Sequence, residues 1–106
     1  MASILQGTTP SITFNISEDD FAVTDVTKLE LTFSNDGNTV KKALDAVTLD
    51  AVANSITYTF TEAETLALVP SARLYYQLRF GFQDGSIVGT PKASLNVSDL
   101  ISEEAL

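Results

Sequence analysis

Between residues 74 and 82 the apolar side chains fall at every second position, Leu74, Tyr76, Leu78, Phe80 and Phe82, with Tyr75, Gln77 and Arg79 between them and Arg73 just before. A repeat of two is the period of an extended strand with one dry face, and a helix would scatter those five side chains around its axis. The spacing predicts a long, central core strand over Ala72 to Phe82. Shorter stretches carry the same period. Ile12, Phe14 and Ile16 alternate through Ser11 to Ile16, and Leu29, Leu31 and Phe33 through Lys28 to Phe33. Ile56, Tyr58 and Phe60 mark Ser55 to Phe60, and Ala93, Leu95 and Val97 mark Lys92 to Val97. Val47 and Leu49 give a short arm before Ser55, and Ile87 to Gly89 another after Phe82.

Turn chemistry separates these stretches. Asn35-Asp36-Gly37-Asn38 and Gln83-Asp84-Gly85-Ser86 each place an Asp-Gly pair after an aromatic strand end, supplying the positive φ angles of tight hairpins. The first turn sends the chain back along Thr39 to Leu44, and Asp50 to Asn54 forms the loop of a second hairpin. Thr61-Glu62-Ala63-Glu64 reads as a capping box, Thr61 accepting from the Glu64 amide while the Glu64 carboxylate reaches back. Pro70 bars continuation, so one helix of about two turns is expected near residues 62–68, with Leu66 plugging an end of the core.

About seven short strands with turn signals about every 8–12 residues indicate an all-β chain, an immunoglobulin-like two-sheet β-sandwich. The likeness is architectural, since the Cys and Trp residues of true immunoglobulin domains are missing. Residues 1–98 are expected to form a single domain, with 1–10 as an N-terminal arm or edge strand. Residues 99–106 read as an acidic C-terminal tail.

Composition then narrows function. The 106 residues include no histidine and no cysteine, which removes imidazole bases, thiol nucleophiles, disulfides and the usual zinc and iron–sulfur ligands. Six basic residues stand against 14 acidic ones, for a formal charge of -8, and that excess repels phosphate, so neither nucleic acid nor an anionic membrane is an expected partner. No window approaches the ~18 apolar residues of a membrane span, and MASILQG has neither the basic start nor the apolar run of a secretory signal. Lack of cysteine fits assembly in a reducing cytoplasm.

Few residues are left to carry chemistry. Glu18-Asp19-Asp20 is the densest acidic run, but its spacing is not that of a calcium loop, and a solvated connection between strands accounts for it. Glu62 and Glu64 are absorbed by the helix cap, Asp36 and Asp84 by hairpins. No nucleophile elbow or phosphate loop is present, so no catalytic residue, metal or cofactor is expected. The stripe of Arg73, Tyr75, Gln77 and Arg79 is the best candidate contact surface, because arginine and tyrosine are enriched at interface centres. Cross-strand pairing with Glu30 or a threonine would equally account for it. Ser3 to Gly7, with Ile4 and Leu5, can form an extra edge strand open to a neighbouring subunit, and Lys41, Lys42 and Lys92 are candidate guards of exposed edges. Two glycosylation triplets, Asn15-Ile16-Ser17 and Asn96-Val97-Ser98, need a secretory route and carry no weight.

Leu5-Gln6-Gly7-Thr8-Thr9-Pro10-Ser11-Ile12-Thr13-Phe14 resembles the opening of small proteins encoded in phages and prophages of Gram-positive bacteria. The resemblance continues through the strand before Asn35-Asp36-Gly37, the Thr61 to Leu66 helix start and Gln77-Leu78-Arg79-Phe80. It is similar, more loosely, to the amino-terminal domain of upper baseplate proteins of siphophages, an immunoglobulin-like sandwich that docks on the virion. The resemblance implies a non-catalytic virion structural protein, in the virion and in host cytoplasm during assembly. Its partners would be other virion proteins or copies of itself. Baseplate, tail, neck and capsid-decoration positions all suit a sandwich of this size. A carbohydrate- or ligand-binding module is the alternative, since sandwiches host such sites, with Tyr75 and Phe21 as the candidate exposed aromatics.

Overall fold

The chain turns where Asp-Gly pairs allow it. In the computed structural model, which describes residues 3–99, Asp36 and Gly37 have φ of 51° and 82°. This mirror-image turn matches the right-handed twist of paired strands and folds β3 (Val26–Asn35) onto β4 (Asn38–Ala43). The remaining strands are β1 (Ser3–Leu5), β2 (Ser11–Asn15), β5 (Thr48–Asp50), β6 (Ser55–Thr59), β7 (Leu74–Phe82), β8 (Ile87–Gly89) and β9 (Ala93–Ser98). One helix, α1 (Glu62–Leu66), joins β6 to β7. Of the tail expected over 99–106, only Asp99 lies within the described residues.

Two sheets face each other. The larger runs β1-β9-β7-β3-β4 with β8 also on β7, and the smaller runs β2-β6-β5. This is the immunoglobulin-like strand order, with the chain crossing between sheets after β1, β2, β4 and β6. The nine strands among the described residues are the eight stretches read from the sequence and one more at the amino terminus. Residues 3–5 pair in parallel with β9, so the amino-terminal arm is a strand of the larger sheet. In addition, β8 and β9 lie along the same edge of β7 as one strand interrupted at Thr90-Pro91. There Leu78 donates its N–H to Thr90 Oγ1 at 3.0 Å, and the Thr90 N–H donates to Leu78 O at 2.9 Å. Pro91 has no N–H to contribute, so the hydroxyl keeps the β7 ladder satisfied across the bulge.

The alternating residues meet in one core. Leu29, Leu31, Phe33, Leu74, Leu78 and Phe80 come from the larger sheet, Ile56, Tyr58 and Phe60 from β6 and the residue after it. Phe33 packs its ring 5.3 Å from Tyr58 and 4.9 Å from Phe60, and Phe14 meets Tyr76 at 5.7 Å, so aromatic contacts tie sheet to sheet. Each such side chain removed from water contributes about 1.5–3 kcal/mol, offsetting the conformational entropy lost in ordering the strands.

The helix differs from expectation in detail. Its capping box is present, but it ends at Leu66, and Thr65, not Leu66, is the buried helical residue. The cap sets the rotation: Glu64 must reach back to the Thr61 N–H, which turns position 65 toward the sandwich and, three residues on, position 68 with it. Thr65 donates its hydroxyl to Thr8 O at 2.7 Å, and Leu68 rather than Leu66 packs on the core.

Candidate interaction surface

Strand alternation that sends Leu74, Leu78 and Phe80 inward sends Tyr75, Gln77 and Arg79 to the outward face of the larger sheet. Arg73, the residue before β7, joins them there. The structure brings all four together and supplies each with a partner. Arg73 donates from Nε to Ser94 Oγ at 2.9 Å and from Nη1 to Asn96 Oδ1 at 2.7 Å. Gln77 donates to Thr90 O at 2.8 Å. Arg79 stands opposite Glu30 in the β3–β7 register and donates to Glu30 Oε1 through Nε at 3.1 Å and Nη2 at 2.9 Å. Lys41 approaches the other Glu30 oxygen at 3.9 Å. Tyr75 remains 39% exposed, with the Lys92 ammonium 4.7 Å from its ring centroid. Cross-strand pairing and an outward, ordered surface are therefore the same feature.

The arm behaves differently along its length. Ile4 is only 2% exposed and belongs to the core, so its side chain offers no contact surface, whereas Leu5 is 42% exposed. The inward turn of Ile4 follows from its pairing with Val97, another core residue. Lys92 precedes β9, and β1 covers only Asn96 to Ser98 of that strand, so Lys92 stands beside the part of β9 that β1 leaves open. The smaller sheet has β2 and β5 as its edges, and β2 presents Ser11 hydrogen-bonded to Thr59 at 2.7 Å and Thr13 to Thr57 at 3.0 Å.

Lys42 is the least expected of the basic residues. The β3–β4 register places it opposite Leu31, on the inward side of β4, an edge strand of the larger sheet. Its ammonium lies 3.0 Å from Glu64 Oε2 and 5.8 Å from the Tyr58 ring centroid, and Tyr58 donates its hydroxyl to the same carboxylate at 2.7 Å. Burial would raise the Glu64 pKa, but the Thr61 N–H, the Tyr58 hydroxyl and the Lys42 ammonium together bring it from the ordinary 4.5 to about 2. Burial, reinforced by the hydrogen bond to Glu64 and its charge, pushes Tyr58 up to about 12. The hydrogen bond to Glu64 outweighs burial at Lys42 and raises its pKa. All three groups thus keep their protonation states around neutrality, which suits a clamp between β4, β6 and α1.

Beside this clamp a cleft of about 300 Å³ opens between β4 and α1, lined by Phe33, Val40, Phe60, Leu68 and Leu74 with Asn35 at its polar end. Phe21 offers no comparable platform: it is half-buried, with ring centroids 5.0 Å from Phe80 and 5.1 Å from Phe82. Among the described residues no group of three or more carboxylates is gathered as a metal site, and the Glu18-Asp19-Asp20 run is exposed loop.

Two asparagines that periodicity could not flag organise the loops around the sheet ends. Asn35, buried, accepts from the Val69 N–H at 2.7 Å and turns its amide toward the carbonyls of Val69, Ala72 and Arg73, which sets the approach of Arg73 to the face. Asn54, also buried and at φ 51°, accepts from the Val23 N–H at 2.9 Å and donates to Ile16 O and Phe21 O. The only signal was their place beside turns, where asparagine is favoured, and for Asn54 its tolerance of left-handed backbone; the peptide groups they bond lie more than 30 residues away along the chain. No family model matches this chain, and no curated protein is detectably similar to it.

Proposed function

We propose that this chain is a non-catalytic structural subunit of a phage or prophage virion that works through protein contacts on the outward face of its larger sheet. The observation that carries the contact reading is the ordered state of that face. Arg73, Gln77 and Arg79 are already held by cross-strand bonds around an exposed Tyr75. A partner therefore meets tyrosine and arginine anchors whose rotamers need little further ordering, and the entropic cost of docking falls accordingly. The virion setting is supported by the resemblance of residues 5–14 and of the later strand and helix starts. It places the protein with other virion proteins or with copies of itself, in the particle and, during assembly, in host cytoplasm.

Purified particles from the strain that carries the gene provide the test. The chain is expected in them at fixed stoichiometry, and Tyr75→Ala with Arg79→Ala is expected to be left out while remaining folded in the cell. Absence of the wild-type chain from particles refutes the virion setting, and normal incorporation of the double variant refutes the face.

A second reading, a ligand-binding sandwich, is favoured by the cleft between β4 and α1, whose apolar walls suit a small apolar ligand or an apolar edge of a sugar. Reproducible binding on a glycan or small-molecule array, lost on Val40→Glu, would put this reading first.

A further inference from the structure

Charge is segregated in this molecule. All six basic residues stand on the strands of the larger sheet or on the residue just before one: Lys28, Lys41, Lys42, Arg73, Arg79 and Lys92. Lys42 is turned inward to Glu64, and the other five lie with the outward face. The strands of that sheet contain one carboxylate, Glu30. The carboxylates concentrate elsewhere. Glu18, Asp19, Asp20 and Asp25 lie in the connection from β2 to β3, and Asp84 in the β7–β8 turn. Asp20, Asp25 and Asp84 line one open hollow of about 580 Å³ together with Phe21, Phe82 and Val88, and no basic residue lines it. Among the described residues, none of these five carboxylates is in an ion pair with Lys or Arg.

We infer that the basic outward face of the larger sheet docks on the acidic hollow of a second copy of this chain, so that copies associate head to tail. This rests on the reading of that face as a contact surface and names its partner. Like charges oppose face on face and hollow on hollow, so a two-fold symmetric pairing through either patch is disfavoured. Opposite charges meet when one copy presents its face and the next its hollow, and wherever that contact is not reciprocated it is heterologous and propagates into a ring or a filament. The net charge of -8 repels copies taken as a whole, and the segregation makes one mutual orientation attractive at short range. The apolar floor of the hollow and the exposed Tyr75 ring supply area that charge alone does not.

Sedimentation velocity over a concentration series reads the association directly. Wild-type chain is expected to grow in mass with concentration in about 0.05 M salt and to bind at least about tenfold more weakly in about 0.5 M salt, where exposed charges are screened within about 4–5 Å. Lys28→Glu with Lys41→Glu leaves the face with three bases against three acids, and Asp19→Lys with Asp20→Lys leaves the acidic loops around the hollow with three carboxylates against two lysines. All four positions are exposed, and circular dichroism checks that both variants fold. Each variant alone is expected to stay monomeric, and an equimolar mixture to pair, because the unaltered face of one variant then finds the unaltered hollow of the other. A wild type monomeric at all concentrations and salts overturns the inference, as does association insensitive to salt or to either reversal, or a mixture that stays monomeric. A monomeric wild type that still enters particles through Tyr75 and Arg79 leaves the virion reading standing. Salt-sensitive association of a chain absent from particles refutes only that reading.

Discussion

Glu64→Gln should remove a pH dependence that one carboxylate builds into the fold. Glu64 is ionised with a pKa of about 2 in place of 4.5. A carboxylate whose folded pKa is depressed contributes stability that is complete above the unfolded value and is lost as pH falls through the folded one. The window therefore runs from about pH 5.5 down to about pH 2. At about 1.4 kcal/mol per pH unit the lowering is worth at most about 3 kcal/mol. The Lys42 and Glu64 side chains are 28% and 26% exposed, and solvent screening reduces the figure to about 2 kcal/mol. Glutamine keeps the length of the side chain and an oxygen to accept from the Thr61 N–H, so the cap survives while the charge is lost. Urea unfolding followed by tyrosine fluorescence measures the difference. At pH 7 the variant is expected to be about 2 kcal/mol less stable, a midpoint shift of about 1–2 M urea. The gap is expected to close between pH 5 and pH 2, reaching about a quarter of its neutral value by about pH 2.5. An equal gap across the whole range, or one below about 0.5 kcal/mol at pH 7, would refute the assignment of the Tyr58–Glu64–Lys42 cluster as an electrostatic clamp.

Two substitutions probe the loop and bulge devices. Asn54→Ala removes three hydrogen bonds to Val23, Ile16 and Phe21 and leaves alanine at φ 51°, and a loss of about 2–4 kcal/mol in the same urea assay is expected, with less than about 1 kcal/mol contradicting the role. Thr90→Val withdraws the acceptor from the Leu78 N–H in the middle of β7. A loss of about 1–3 kcal/mol is expected, with faster hydrogen exchange at the Leu78 amide, and unchanged exchange would show that the bulge does not depend on the hydroxyl.

Much of the framework was legible because it is written in local rules. The period of two located β2, β3, β6, β7 and β9, Asp36-Gly37 and Asp84-Gly85 located the two hairpin turns, and Thr61 with Glu64 located the helix start. Less legible was any position whose environment is made by residues far along the chain. Ile4 looked like a contact residue of an arm or edge strand, yet its pairing with Val97 in that edge strand carries its side chain into the core. Leu66 looked like the plug of a helix, yet the capping geometry of Glu64 gives that place to Thr65 and Leu68. The stripe of Arg73, Tyr75, Gln77 and Arg79 was visible as an outward face, and pairing with Glu30 or a threonine was open to it, while the bonds of Arg73 to Ser94 and Asn96 depend on strand neighbours no spacing rule names.

By itself, then, the sequence determined that this chain folds as an all-β sandwich, and roughly where its strands begin and end. Alternation and turn chemistry act over a few residues, so they do not depend on which strand lies beside which. The tertiary structure alone decided that Lys42 turns inward to a carboxylate, because its pairing opposite Leu31 and the position of the helix bring its ammonium within 3.0 Å of Glu64. It also decided that five basic residues share one face while the carboxylates of two separate loops line one hollow. Charges distant in sequence become a surface only once the order of strands in the sheets has brought them together.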